Sequence, residues 1–222
     1  MKKQQAGFTL IELAIVLVII GLLLGGVLKG QELINSAKVK NLASDFKNTQ
    51  VYVYGYQDKY KAIPGDDRDT SHVNGVVPTN GAKNGVIEGN WAISGNTVES
   101  CVFWQHVRLA GLAPGKSAVA DVLCDANNTK GYMPQNAEGG AVGIQGVKDF
   151  NDNVITGFSG SFVVCSSQIR GSFAKQIDTL LDDGDTATGS VRAYKDGETT
   201  WAVKADIVDA EESAPYNVCN AF

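Results

Sequence analysis

The chain has 222 residues, 44% hydrophobic and 19% charged, with 24 acidic residues against 19 Lys and Arg for a formal charge of -5. That length and apolar content support one globular domain with a real core plus an appended segment, and exclude wholesale disorder. The acidic balance excludes general binding of nucleic acid or anionic lipid by the surface as a whole.

From Phe8 to Leu28 the chain is an almost unbroken run of Leu, Ile, Val, Gly and Ala. About 21 residues at roughly 1.5 Å each just cross a hydrocarbon core of about 30 Å, so this is a membrane-spanning helix. Lys2 and Lys3 precede it, which places the N-terminus in the cytoplasm and everything after Lys29 on the far side. A secretory signal peptide has a shorter apolar region and a small-x-small cleavage site; Gly25 and Gly26 are the nearest to one, and no cysteine ends the run for a lipid anchor. A plain signal anchor remains, but it gains nothing from Glu12. A carboxylate within the apolar run costs on the order of 2.5–3.5 kcal/mol and marks a functional site. A cut between Gly7 and Phe8 would leave a new amino group four residues from Glu12, near enough along one helix face to pair with it or with the glutamate of a neighbouring copy.

The run Gly7-Phe8-Thr9-Leu10-Ile11-Glu12-Leu13 resembles the processing motif of type IV prepilins and type II secretion pseudopilins. The resemblance implies cleavage after Gly7 by the prepilin peptidase, N-methylation of Phe8, and docking of incoming subunits through Glu12. The leader of seven residues is similar to the short-leader class, and its loss would move the charge to -7. Lys29 and the lack of a proline after the span depart from many major pilins, so any melted mid-helix segment would have to fall at Gly21, Gly25, Gly26 or Gly30.

Val39, Leu42, Phe46, Thr49, Val53, Tyr56 and Tyr60 recur in steps of three and four, one stripe of the same helix, and Pro64 with Gly65 stops it. The expected organisation is a leader over 1–7, a membrane and filament-core helix over 8–29, an amphipathic half over 30–62 and a globular head over 63–222. Residues 63–99 are rich in Gly, Asn, Asp and Thr and read as a long surface loop, within which Asp66, Asp67 and Asp69 make a solvated, capped turn. Ser100–Leu112 reads as a short helix with Phe103, Trp104, Val107 and Leu112 on its apolar side; Phe103-Trp104-Gln105-His106 with Leu109-Ala110-Gly111-Leu112 resembles a segment common in large pilin-like proteins.

Strands are expected at Ala141–Val147, Val154–Ser166, Ser190–Tyr194 and Thr200–Ile207, with a hairpin turn at Lys195-Asp196-Gly197-Glu198. A short helix carrying Phe173, Ile177, Leu180 and Leu181 falls between them. The expected fold is therefore α+β, a long N-terminal helix packed on an antiparallel sheet, pilin-like.

Four widely spaced cysteines without a C-x-x-C pair indicate disulfides in an oxidising compartment rather than a zinc or redox motif. Of three pairings, Cys101–Cys124 with Cys165–Cys219 is favoured, because the first closes a short loop and the second pins a C-terminal tail. Asp182, Asp183 and Asp185 crowd a helix C-terminus, where the macrodipole disfavours them and something must compensate. A calcium ion held with Thr186 or Thr188 is one reading, and a solvated Asp-Gly turn, preferred because Gly184 breaks the EF-hand spacing, is the other. His72 and His106 sit in no metal or triad spacing, so no catalytic residue and no cofactor beyond that calcium is assigned. Trp91, Trp104 and Trp201 are read as core rather than as ligand platforms.

The leading functional expectation is a pilin or minor pilin of a filament. Its partners would be the prepilin peptidase, copies of itself or other pilins, an inner-membrane assembly platform, and the inner membrane itself before assembly. Any motor lies elsewhere, since the chain has no G-x-x-x-x-G-K-[ST] loop. The alternatives are a pseudopilin of a type II secretion system and, from another class, a membrane-anchored periplasmic binding protein.

Overall fold

The computed structural model describes residues 9–79, 83–92, 97–122, 124, 128, 131–148, 150, 155, 157–195, 207 and 212–222. The elements in chain order are α1 (Leu10–Tyr60), α2 (Glu99–Leu109), β1 (Val142–Gly146), β2 (Phe162–Arg170), α3 (Gly171–Leu181), β3 (Val191–Lys195) and β4 (Pro215–Ala221), with 3-10 turns at Thr70–His72 and Val119–Asp121. The strands form one antiparallel sheet in the order β1-β2-β4-β3. The architecture is α+β, a long N-terminal helix with an antiparallel sheet, consistent with a pilin-like fold.

Two compact units divide the chain, 1–38 and 39–222. In the first, α1 is apolar all round, with a mean hydropathy of 2.8 over its most apolar window and none of that window buried. It is long and apolar enough to cross a membrane, and the helix runs unbroken through Gly21, Gly25, Gly26 and Gly30.

In the second unit the same helix becomes one-sided, burying Val39, Leu42, Ala43, Phe46, Thr49, Val53 and Tyr56. This stripe shares a core with Phe103 and Val107 of α2, Ile144 of β1, Val164 and Ile169 of β2, Phe173 and Ile177 of α3 and Val218 of β4. Each such side chain contributes about 1.5–3 kcal/mol by leaving water. A second cluster, containing Trp91, Phe150, Phe158, Val163 and the Cys165 and Cys219 side chains, covers alternate residues of β2 and β4. Most of β2 and nearly all of β4 are therefore buried.

That two-sided burial explains where the strand expectations fail. The strand expected at Val154–Ser166 begins only at Phe162 and continues to Arg170, and β4 was not expected at all. Pro215-Tyr216-Asn217-Val218-Cys219-Asn220-Ala221 does not alternate polar with apolar, because both of its faces meet side chains. What reads as a tail to be pinned is thus an interior strand between β2 and β3. The expected strand Thr200–Ile207 and the turn after Lys195 lie outside the described residues, apart from Ile207 and Lys195 themselves, as does Trp201.

The 63–99 segment forms no strand among its described residues, but it is not a solvated surface loop. Ile87, Trp91, Asp66, Asp67 and Thr70 are all buried. Gly65, at φ 94°, allows this: a Cβ there would lie 2.5 Å from the Glu99 carbonyl oxygen, so only glycine lets the segment close on α2. Asp66 accepts the Asn84 and Gly85 amides, and Asp67 accepts the Tyr56 hydroxyl at 2.9 Å and the Asp69 amide. Asp69 caps the 3-10 turn through Ser71. Asp69 is exposed and caps its turn as expected, but Asp66 and Asp67 form a hydrogen-bonded plug rather than a solvated turn, because amides and the Tyr56 hydroxyl replace water at their carboxylates.

Helix α2 is buried from Glu99 to Arg108 rather than on one side. Its polar residues survive there by bonding to main chain: Gln105 spans Val76 and Ser117, and His106 accepts the Gly65 amide on Nδ1. His106 Nε2 therefore carries the proton and donates to the Val76 carbonyl at 2.8 Å, and burial pushes its pKa down, favouring the neutral ring.

Glu99 accepts the Glu88 amide at 2.8 Å and faces Arg68 at 3.5 Å. Burial, followed by the nearby Asp66 and Glu88 carboxylates, raises its pKa from 4.5 to about 7. Between those values the folded chain holds a proton that the unfolded chain has released, so stability is greatest at the acid end of that range and falls as pH rises through it. Thermal melts at about pH 5 and about pH 8 should show the wild type less stable at the higher pH, and Glu99→Gln should shrink the difference.

Candidate functional site

The N-terminal turn of α1 is built from Thr9 and Glu12. The Thr9 amide and hydroxyl both donate to Glu12 Oε2, at 2.8 and 2.7 Å, and the Glu12 amide donates back to Thr9 Oγ1 at 3.3 Å. This reciprocal pair is a capping box, which satisfies main-chain donors that a helix start otherwise leaves open. Sequence reading singled out Glu12 for its charge and passed over Thr9, although Thr9-x-x-Glu12 is itself the capping pattern. Gly7 and Phe8 lie outside the described residues.

Below the cap, Leu10, Ile11, Leu13 and the apolar residues to Leu28 are exposed on every side. Gly21 and Gly25, and again Gly26 and Gly30, are four residues apart, and a Cβ at any of them would meet nothing within 4 Å. No packing within the described chain requires these glycines.

The four cysteines form two bonds, Cys101 to Cys124 with Cα atoms 5.7 Å apart and Cys165 to Cys219 at 4.1 Å. The first ties the first turn of α2 to the segment after the Val119–Asp121 turn; the second joins residues directly opposite in the β2–β4 register.

Among the acidic residues after α3, carboxylate oxygens within 4.8 Å of one another come from Asp178, Asp182 and Asp183; Asp185 is not in that group. Asp182 Oδ2 accepts the Ser190 and Val191 amides, Asp183 accepts the Asp185 amide and the Thr188 hydroxyl, and Asp185 accepts the Ala187 amide. Gly189, at φ 69°, lets the chain pass so close that a Cβ there would strike the Asp182 carboxylate. Backbone donors thus supply the compensation that the helix dipole demands.

His72 lies with Tyr56 and Asp67: its Nε2 is 2.9 Å from Asp67 Oδ2 and 3.2 Å from the Tyr56 hydroxyl, with the ring stacked on Tyr60. His106 stacks on the Tyr56 ring but bonds only main chain among its described partners. Trp91 and Trp104 are both core residues.

With this geometry in view, residues 2–28 match the family model of the prokaryotic N-terminal methylation motif. That motif is the prepilin motif of type IV pilins and pseudopilins, and this chain carries it at its N-terminus. The motif and the apolar helix below it fit membrane anchoring before assembly. Over its length the chain matches no curated protein and no solved structure.

Two outcomes follow from these hydrogen bonds. Thr9→Ala removes one side of the capping box, worth about 1 kcal/mol, so amide exchange over Leu10–Leu13 should quicken by about fivefold in micelles. Because the Asp182, Asp183 and Asp185 carboxylates are already used by amides and a hydroxyl, the melting midpoint should coincide in calcium and in chelator. A rise with calcium would restore the ion as the compensating group.

Proposed function

We propose that the protein is a pilin or minor pilin, cleaved after Gly7, methylated on Phe8 and assembled into a type IV pilus-like filament through α1. Glu12 carries this reading. A helix anchor needs no carboxylate, whereas a polymerising subunit whose new amine emerges four residues away has a use for one. The capping box adds a detail: the carboxylate holds the Thr9 amide, next to the residue whose nitrogen would become the free amine.

Before assembly the apolar helix sits in the inner membrane, N-terminus inward, with the remainder on the periplasmic side. The fifteen Leu, Ile, Val and Phe side chains between Phe8 and Leu28 hold it there, at roughly 0.3–0.6 kcal/mol each. Assembly passes the helix from lipid into a bundle of like helices without exposing it to water. The paired glycines suit that step, since small residues four apart let helix backbones approach closely. A head-to-tail contact that does not close then generates an open fibre. The prepilin peptidase, an inner-membrane platform and a separate motor are the machinery this requires.

The motif is shared with pseudopilins of type II secretion, so the location of the fibre decides between the two readings. Shearing of whole cells should release the subunit as a surface filament; a subunit confined to the periplasm would instead place it in a secretion machine. Mass spectrometry of the native protein should find N-methylphenylalanine at Phe8 as the first residue, and a chain beginning at Met1 would remove the filament reading. Glu12→Gln keeps an oxygen for the Thr9 amide but loses the charge. Both it and Glu12→Ala should abolish incorporation at unchanged membrane levels, whereas an anchored binding protein would tolerate either.

A further inference from the structure

A cleft of about 290 Å³ opens beside the amphipathic half of α1, within the 39–222 unit. One wall is a single helix face, Asp45, Asn48, Thr49 and Tyr52; the other is made by Trp104, Pro114 and Pro134. Its size is at the lower end for small-ligand pockets, and its lining sets Tyr52, Trp104 and the two prolines beside the polar side chains Asp45, Asn48, Thr49 and Gln135.

Asp45 is the group that sets its chemistry. The Asp45 carbonyl accepts the Thr49 hydroxyl, but its carboxylate makes no hydrogen bond or ion pair among the described residues. Burial alone pushes its pKa up to about 6, and no described residue offsets that by stabilising the ionised form. Arg108, on α2 with Trp104, is already committed. The Arg108 guanidinium lies over the Trp104 and Tyr132 rings and donates to the Pro114 and Lys116 carbonyls, holding the turn that forms the wall. The Trp104 indole N–H is likewise buried, with no acceptor among the described residues. A half-buried carboxylate beside a tyrosine, a tryptophan and two prolines is matched by a cation on an apolar stem. The charge would pair with the carboxylate and the stem would lie against the rings.

We propose that this cleft binds an organic cation, an ammonium or guanidinium group on a short alkyl stem, through Asp45 and the Tyr52 and Trp104 rings. Such a group is available either as a free small molecule or as the Lys or Arg side chain of a second copy of the chain. The site lies in the 39–222 unit and does not involve Glu12.

Isothermal titration of the full-length protein in detergent micelles with n-butylammonium and n-butylguanidinium chloride tests it, with n-butanol as the neutral control. Saturable binding of the cations is expected, weakened about tenfold or more by Asp45→Asn. Asn48→Lys, at an exposed helix position one turn from Asp45, supplies a tethered ammonium and should abolish probe binding without disturbing the fold, as a thermal melt will check. Sedimentation separates the two sources. If the cation belongs to a second copy, the probes dissociate associated chains; if it is a free molecule, association is insensitive to them, and either result supports the site. Absence of cation binding, equal binding by wild type and Asp45→Asn, or n-butanol binding as tightly as the cations would overturn the proposal.

Discussion

An apolar helix face that its own chain leaves bare must be covered by something else. Residues 10–28 present such a face on all sides, and within it stands one carboxylate whose described bonds are all to Thr9. In water that arrangement is untenable, and in lipid the apolar part is satisfied while the carboxylate is tolerated at a cost. The rest of the molecule follows from this constraint. The helix fits anchoring in a membrane, and residues 2–28, which include Glu12, match the N-terminal methylation motif.

One helix serves two environments by changing its pattern rather than its conformation. Up to Gly30 nearly every position is apolar, as a nonpolar solvent requires; from Val39 a stripe suffices, because protein covers one side and water the other. The backbone is helical throughout, since every main-chain bond is made within the segment in either solvent.

The remainder of the chain is stabilised in a different way, with polar groups taken inside and satisfied there. Asp66, Asp67, Gln105 and His106 are buried, and each is bonded to main chain or to Tyr56. A loop with few apolar residues can close over a core when its own amides serve the carboxylates it carries. The same device recurs after α3, where Asp182 holds the start of β3 through two amides. Burial lifts the carboxylates of Asp45 and Glu99 towards neutral pH, to about 6 and about 7.

What could be read from the residue order was whatever depends on one segment and its solvent. The membrane length of α1, the place where its stripe begins, the stop before Pro64 and the anomaly of Glu12 are all local, and β1, β3 and α3 announce themselves by flanking glycines and by period. The capping role of Thr9 was equally local and was legible in Thr9-x-x-Glu12. Tertiary structure alone decided the rest: that 215–221 is an interior strand, that α2 is buried on every side, that an acidic loop is a plug, and that Asp45 faces a cleft. Each of these turns on which distant segment occupies the opposite side. A strand covered on both faces loses its alternation, and a carboxylate met by amides loses its need for water, so neither leaves a periodic trace in the chain that carries it.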